Sequence, residues 1–170
     1  GDAYYMVSTS MHMFPGAQIL RSYDLMHWEH CSYVYDTLGE TARQRMEGTD
    51  PAQPAHIYGK GMWAASLKHH EGVFHVVFTS NDTGHSYYFT AEKVEGSWTR
   101  QPMNGFWYDS GLLFDDDDKV YVAHGNRNIR ITELSMQTLL SLLHPIELAS
   151  QASSLKVYNS RSRFSLLSIR

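Results

Sequence analysis

The chain has 170 residues, 42% hydrophobic and 19% charged, enough for one ordinary domain with a sizeable core. It holds no apolar run of the ~20 residues a membrane helix needs and no polar tract long enough for extended disorder, so membrane and fibrous classes fall away. A net charge of -4, with 14 scattered Lys and Arg, speaks against a nucleic-acid partner, which calls for a basic face.

One cysteine, Cys31, excludes an internal disulfide framework and a multi-cysteine zinc site. Gly1 and Asp2 lead straight into the run AYYMV, without initiator Met, basic n-region or apolar h-region. The start therefore reads as cut from a longer protein, with any targeting segment upstream.

In chain order the β-branched and aromatic runs are YYMVSTS, VFHVVFTS, SYYFTAE, KVYVAHG and IRITEL, separated by Gly, Asn, Asp and His. These predict strands. Helical periodicity is weak and short, around residues 40–47 and 133–143, so the expected class is all-β. The polar, Pro-containing stretch within 34–62 reads as an insertion over one face.

The strands repeat. Sliding the sequence by 70 places sets Tyr4 on Phe74, Tyr5 on His75, Val7 on Val77, Thr9 on Thr79, Ser10 on Ser80 and Trp28 on Trp98. A third copy follows at an offset of 46, with Asp118, Val120, Tyr121 and Val122 on Gly72, Phe74, His75 and Val76, and its second strand at 129–133. Strand, hairpin, strand and closing Trp in register predict the radial sheets of a β-propeller. Trp28 and Trp98 are then expected to pack in blade cores.

In such a fold the residues leading into the innermost strands converge at one mouth of the central channel. Trp63 stands nine residues before Gly72 and Asp109 nine before Asp118, so they are equivalent. The first blade's counterpart falls upstream of Gly1. Counting from the last strand, RFSLLSI, the next equivalent is Ser153.

The segments YYMVSTSMHMFPGAQILRSYDLMHWE, YGKGMWAASLKHHEGVFHVVF and FWYDSGLLFDDDDKVYVAHGNRNIRITEL resemble glycoside hydrolase family 43, the β-xylosidases and α-L-arabinofuranosidases. The resemblance covers about residues 1–140, a catalytic-domain fragment, and leaves 141–170 as a diverged end or the start of the next blade. It implies a partial five-bladed propeller with two to three blades present. It also implies an inverting mechanism with an Asp base, a Glu acid and a second Asp that orients the acid and tunes its pKa.

Residue by residue, Asp109 in the run from Tyr108 to Asp118 matches that tuning Asp, and Trp63 matches an aromatic that walls the sugar, with Ala65 where the family has Pro. His12, Met13 and Phe14 match a loop beside the pocket. Trp107 and His124, with Phe106, are further candidates for the pocket wall. The family's base lies upstream of Gly1, and Ser153 stands at the Glu position, so the chain offers one of three carboxyls. Expected partners are carbohydrate, with no cofactor and no metal; the resemblance favours a secreted or periplasmic setting. The alternative is a noncatalytic carbohydrate-binding remnant or a nonfunctional gene-model fragment.

Bland roles compete at each position. Asp-Ser-Gly at 109–111 is ordinary turn chemistry, and Asp115–Asp118 suits a hairpin tip better than calcium, lacking EF-hand spacing. The ten histidines show no HExxH, and Asn81-Asp82-Thr83 is a glycosylation sequon of a kind frequent by chance. No GxSxG or phosphate-loop motif occurs.

Overall fold

A computed structural model describes residues 3–42, 44–45, 60–116 and 119–134, together with the backbone of two strands at 145–146 and 164–169. Among the described residues all helix and sheet structure is strand. The strands form three four-stranded antiparallel sheets.

The first sheet holds β1 (Ala3–Ser8), β2 (Gly16–Ser22) and β3 (Glu29–Tyr35), the second β4 (Met62–His70), β5 (Val73–Ser80), β6 (His85–Ala91) and β7 (Thr99–Gln101). The third holds β8 (Gly111–Phe114), β9 (Val120–His124), β10 (Arg130–Leu134) and β11 (Pro145–Ile146). β12 (Phe164–Ile169) completes the first sheet beside β1, giving the order β12-β1-β2-β3.

The burial of β5 explains why VFHVVFTS is apolar almost throughout. Side chains alternate across a strand, and here both faces are covered. Phe74, Val76 and Phe78 enter one core with Val7, Ile19 and Tyr35 of the first sheet. Val77 enters a second core with Leu112, Val120 and Val122 of the third. β6 divides likewise, Tyr87 and Phe89 to the first core and Tyr88 to the second. The second sheet is the middle blade, and each core is an interface between blades.

The repeat is visible in this alternation. Val7 and Val77, 70 apart, each point toward the next blade, and Trp98 packs on the first core. Trp28, its equivalent, is half-buried like Trp98 but joins neither core, its Nε1 donating to the Leu25 carbonyl at 3.2 Å. The expectation of core packing holds for Trp98 alone, because the repeat puts Trp28 on the face of the first blade turned away from the second.

The predicted second strand of the third copy forms one residue later, at Arg130–Leu134. Of the segments with helical periodicity, the first shows Arg45 N–H donating to the Thr41 carbonyl at 3.1 Å, with 43, 46 and 47 outside the described residues; residues 133–134 belong to β10, and 135–143 lie outside the described residues. The insertion is narrower than its expected bounds, since Val34 and Tyr35 end β3 and Met62 opens β4. Its described part is fastened to the middle blade: Gln44 Nε2 donates to Asp82 Oδ1 at 3.2 Å and Tyr87 donates to Glu40 at 2.6 Å.

Segment 141–170 enters the described structure only as β11 and β12, and neither begins a further blade. β11 is the outer strand of the third sheet, and β12 pairs antiparallel with β1 from Ala3↔Ile169 to Ser8↔Phe164. An open strand edge carries unpaired N–H and C=O groups, and an added strand satisfies them.

Candidate active site

Two inner strands carry the predicted mouth residues. β4 and β8 lie side by side: Leu112 N–H donates to Ser66 Oγ at 3.1 Å, and further along both strands the rings of His70 and Phe114 stack at 4.3 Å. The strands therefore run in the same direction. Trp63, at the start of β4, and Asp109, just before β8, lie at the same end.

Each entry segment is also held by the strand that follows it. Trp63 pairs with Thr79. Before β8, the carbonyl of Tyr108 accepts the Gly125 N–H at 2.8 Å, so the entry to this strand is tied to the end of β9. Between Trp63 and Ser66 the ladder with β5 shifts by a bulge, three residues of β4 facing two steps of β5. Both entry segments use left-handed backbone at non-glycine residues, Ala64 at φ 41 and Asp109 at φ 48. Asp is among the residues that tolerate this region, and Ala is not.

Asp109 lies at the surface of the mouth, and partial burial raises its carboxyl pKa above the ordinary range. Trp63 is half-buried, and its Nε1 is sealed from solvent without a hydrogen-bond partner among the described residues. The segment before β2 is tied to the edge of β4 by a two-bond bridge, Met11 N–H to the Met62 carbonyl at 3.1 Å and Met62 N–H to the Met11 carbonyl at 2.9 Å. His12, half-buried, follows directly. Phe14 is half-buried and meets Tyr35 edge-on at 6.0 Å, against the first core.

Trp107 has a different environment from the open wall expected of it. Its side chain is 5% exposed in the second core, and its ring stacks on His124 at 5.2 Å. Its backbone N–H donates to Ser86 Oγ at 2.8 Å. His124 is half-buried, with Nε2 at 2.9 Å from Thr132 Oγ1, and burial, then the Arg130 charge, lowers its pKa. Phe106 is exposed, its ring 6.4 Å from that of Tyr108. The aromatic surface nearest Asp109 in sequence is therefore Phe106 and Tyr108, with Trp107 and His124 behind it.

Asp115 N–H donates to the Lys119 carbonyl at 2.9 Å, closing the hairpin tip, while Asp117, Asp118 and Ser153 lie outside the described residues. No group of metal-ligating side chains occurs among the described residues. Asn81 Oδ1 accepts the Gly61 N–H at 3.0 Å, so the sequon's Asn is part of the joint before β4. Sequence reasoning passed over Ser66 and Met11, which join neighbouring blades, and Gly61, which packs against Met11; none carries a motif. Thr9 was visible only as a repeat position.

Radial four-stranded sheets with adjacent, co-directional inner strands make this part of a β-propeller, and the structural relatives are five-bladed. The family model for glycosyl hydrolases family 43 matches residues 1–161. The chain belongs to that family. It is 30% identical over 133 residues to a xylan 1,3-beta-xylosidase of a Vibrio species, covering 73% of this chain and 23% of the relative. It is 28% identical over 131 residues to a non-reducing end alpha-L-arabinofuranosidase of Bacteroides ovatus, covering 75% of this chain and 23% of the relative. Among solved structures, the bifunctional GH43-CE protein of Bacteroides eggerthii superimposes with a TM-score of 0.76 at 33% identity, over 86% of this chain and 19% of that one. The chain thus spans about a quarter or less of the length of these relatives.

Proposed function

We propose that this chain is the part of an inverting glycoside hydrolase that supplies the acid-tuning carboxylate and one aromatic wall, acting on xylosyl or arabinofuranosyl linkages. The observation that carries the reading is the placement of Asp109 and Trp63 at one end of neighbouring inner strands in a family 43 chain. The names of the relatives, xylosidase and arabinofuranosidase, support the substrate class.

In this reading Asp109 does not attack the sugar. It faces the acid Glu, orients it by hydrogen bonding and, as a neighbouring negative charge, raises its pKa so that it is still protonated when the leaving oxygen needs a proton. Base and acid stand on opposite sides of the sugar with a water between base and anomeric carbon, the arrangement inversion requires. Trp63 offers an apolar ring to the C–H face of the sugar, and the loop of His12 and Phe14 lies alongside.

The test is hydrolysis of 4-nitrophenyl xyloside and 4-nitrophenyl arabinofuranoside by the 170-residue chain and by a version extended at both ends to five blades. Activity in the extended protein alone, lost in its Asp109→Asn variant, supports the reading. Silence in a well-folded extended protein overturns it in favour of a carbohydrate-binding propeller.

A further inference from the structure

We propose that Thr9 is a positioning residue for Trp63, holding the Trp63–Ala64 peptide from the neighbouring blade in the geometry that presents the indole at the mouth. The inference rests on the reading of Trp63 as the sugar-facing wall.

The bulge in β4 leaves Ala64 and Ala65 without a Cα partner in the ladder with β5. Ala64 also sits at φ 41, a left-handed conformation disfavoured for an L-residue with a Cβ. Such a residue stays in place only when its surroundings hold it there. The hold comes from the first blade: Thr9 Oγ1 accepts the Ala64 N–H at 3.2 Å.

The two threonines that the 70-residue repeat makes equivalent thus meet at one peptide. Thr79 pairs with Trp63 through the backbone, and Thr9 captures the next N–H through its side chain. A valine at position 9 keeps the shape and removes the acceptor, whereas a serine keeps the acceptor. The adjacent Met11–Met62 bridge is made by backbone alone and survives either change, so the blades stay joined.

The experiment uses the 170-residue chain, its Thr9→Val and Thr9→Ser variants, and amide and indole N–H resonances by NMR. In Thr9→Val, exchange of the Ala64 amide is expected to rise about fivefold to tenfold, the effect of one net hydrogen bond, with the Trp63 indole signal shifted and broadened. Thr9→Ser should restore both, and the signals of Trp98 and Trp107 should stay put in each variant. An unmoved Trp63 signal in Thr9→Val, equal disturbance in Thr9→Ser, or collapse of the Trp98 and Trp107 signals would each overturn the proposal, the last because Thr9 would then hold the fold.

Titration with xylose and with arabinose separates this inference from the reading beneath it. Weakened binding in Thr9→Val, restored in Thr9→Ser, supports both. Unchanged sugar affinity in Thr9→Val overturns the proposal. A wild-type chain that binds neither sugar while the Trp63 signal still follows Thr9 leaves the positioning role standing and removes the sugar-wall role of Trp63.

Discussion

Ser66 Oγ accepts the backbone N–H of Leu112 at 3.1 Å, three residues after Trp63 on one inner strand and three after Asp109 on the next. This bond sets the relative height of the two mouth residues, because it fixes how far one blade's inner strand slides along its neighbour. Ser66 is itself buried, so the Leu112 N–H is not open to replacement by bulk water. Ser66→Ala should lower stability by about 1–3 kcal/mol, the cost of leaving a buried donor unmade. Thermal unfolding measures it, and an unchanged midpoint would show that another group takes the N–H.

Asp109 should be dispensable for folding. Its left-handed backbone suits Asn equally well, and burial raises its pKa, so the fold favours the protonated form. A folded pKa above the unfolded one gives stability that is present at low pH and lost as pH rises through the carboxylate range. Asp109→Asn should therefore match or exceed the wild type in melting temperature at pH 7, with the gap closing toward pH 3. In the five-bladed version the same change should cut turnover by orders of magnitude. A variant clearly less stable at pH 7 would mark Asp109 as a structural turn residue.

Gly61 has little room for a side chain. Its φ of 86 lies in the left-handed region, and a Cβ there would overlap the Met11 carbonyl, which accepts the Met62 N–H. Gly61→Ala should cost about 2 kcal/mol or more, as strain and overpacking combine. Urea unfolding would register this as a lower midpoint at unchanged slope.

His75 should make the joint between the second and third blades sensitive to acid. Its ring lies against Phe114 at 4.6 Å with Nδ1 2.6 Å from Tyr88 Oη. Burial first, then the charges of His70 and His69, pushes its pKa down to about 4 from the ordinary 6.5. A depressed histidine contributes stability above its unfolded pKa that is lost as pH falls toward its folded one. Melting temperature should fall between pH 6.5 and 4, and His75→Gln should flatten that fall. An equally steep profile in the variant would assign the acid sensitivity to other groups.

Much of this molecule is legible in its sequence because strand character, alternation and repeat are local properties. Val7 and Val77, or Tyr5 and His75, recur at one spacing, since each blade must present the same kind of face to the next. The same arithmetic puts Trp63 and Asp109 at the entries to neighbouring inner strands. What the repeat cannot convey is which faces find a neighbour. Trp28 and Trp98 occupy equivalent positions, yet only Trp98 packs on a core. Phe106 and Trp107 are adjacent, yet one is exposed and the other buried.

The folded chain alone decides the contacts that place the site. The left-handed Ala64, the Thr9 hydroxyl beneath it, the Ser66–Leu112 bond and the pairing of β12 with β1 join residues 46 or more positions apart, and no motif announces them. The physical reason is that a strand's identity is written in its own side chains, whereas its height, bulge and partner are set by whichever backbone donors and acceptors remain unpaired once the blades have packed.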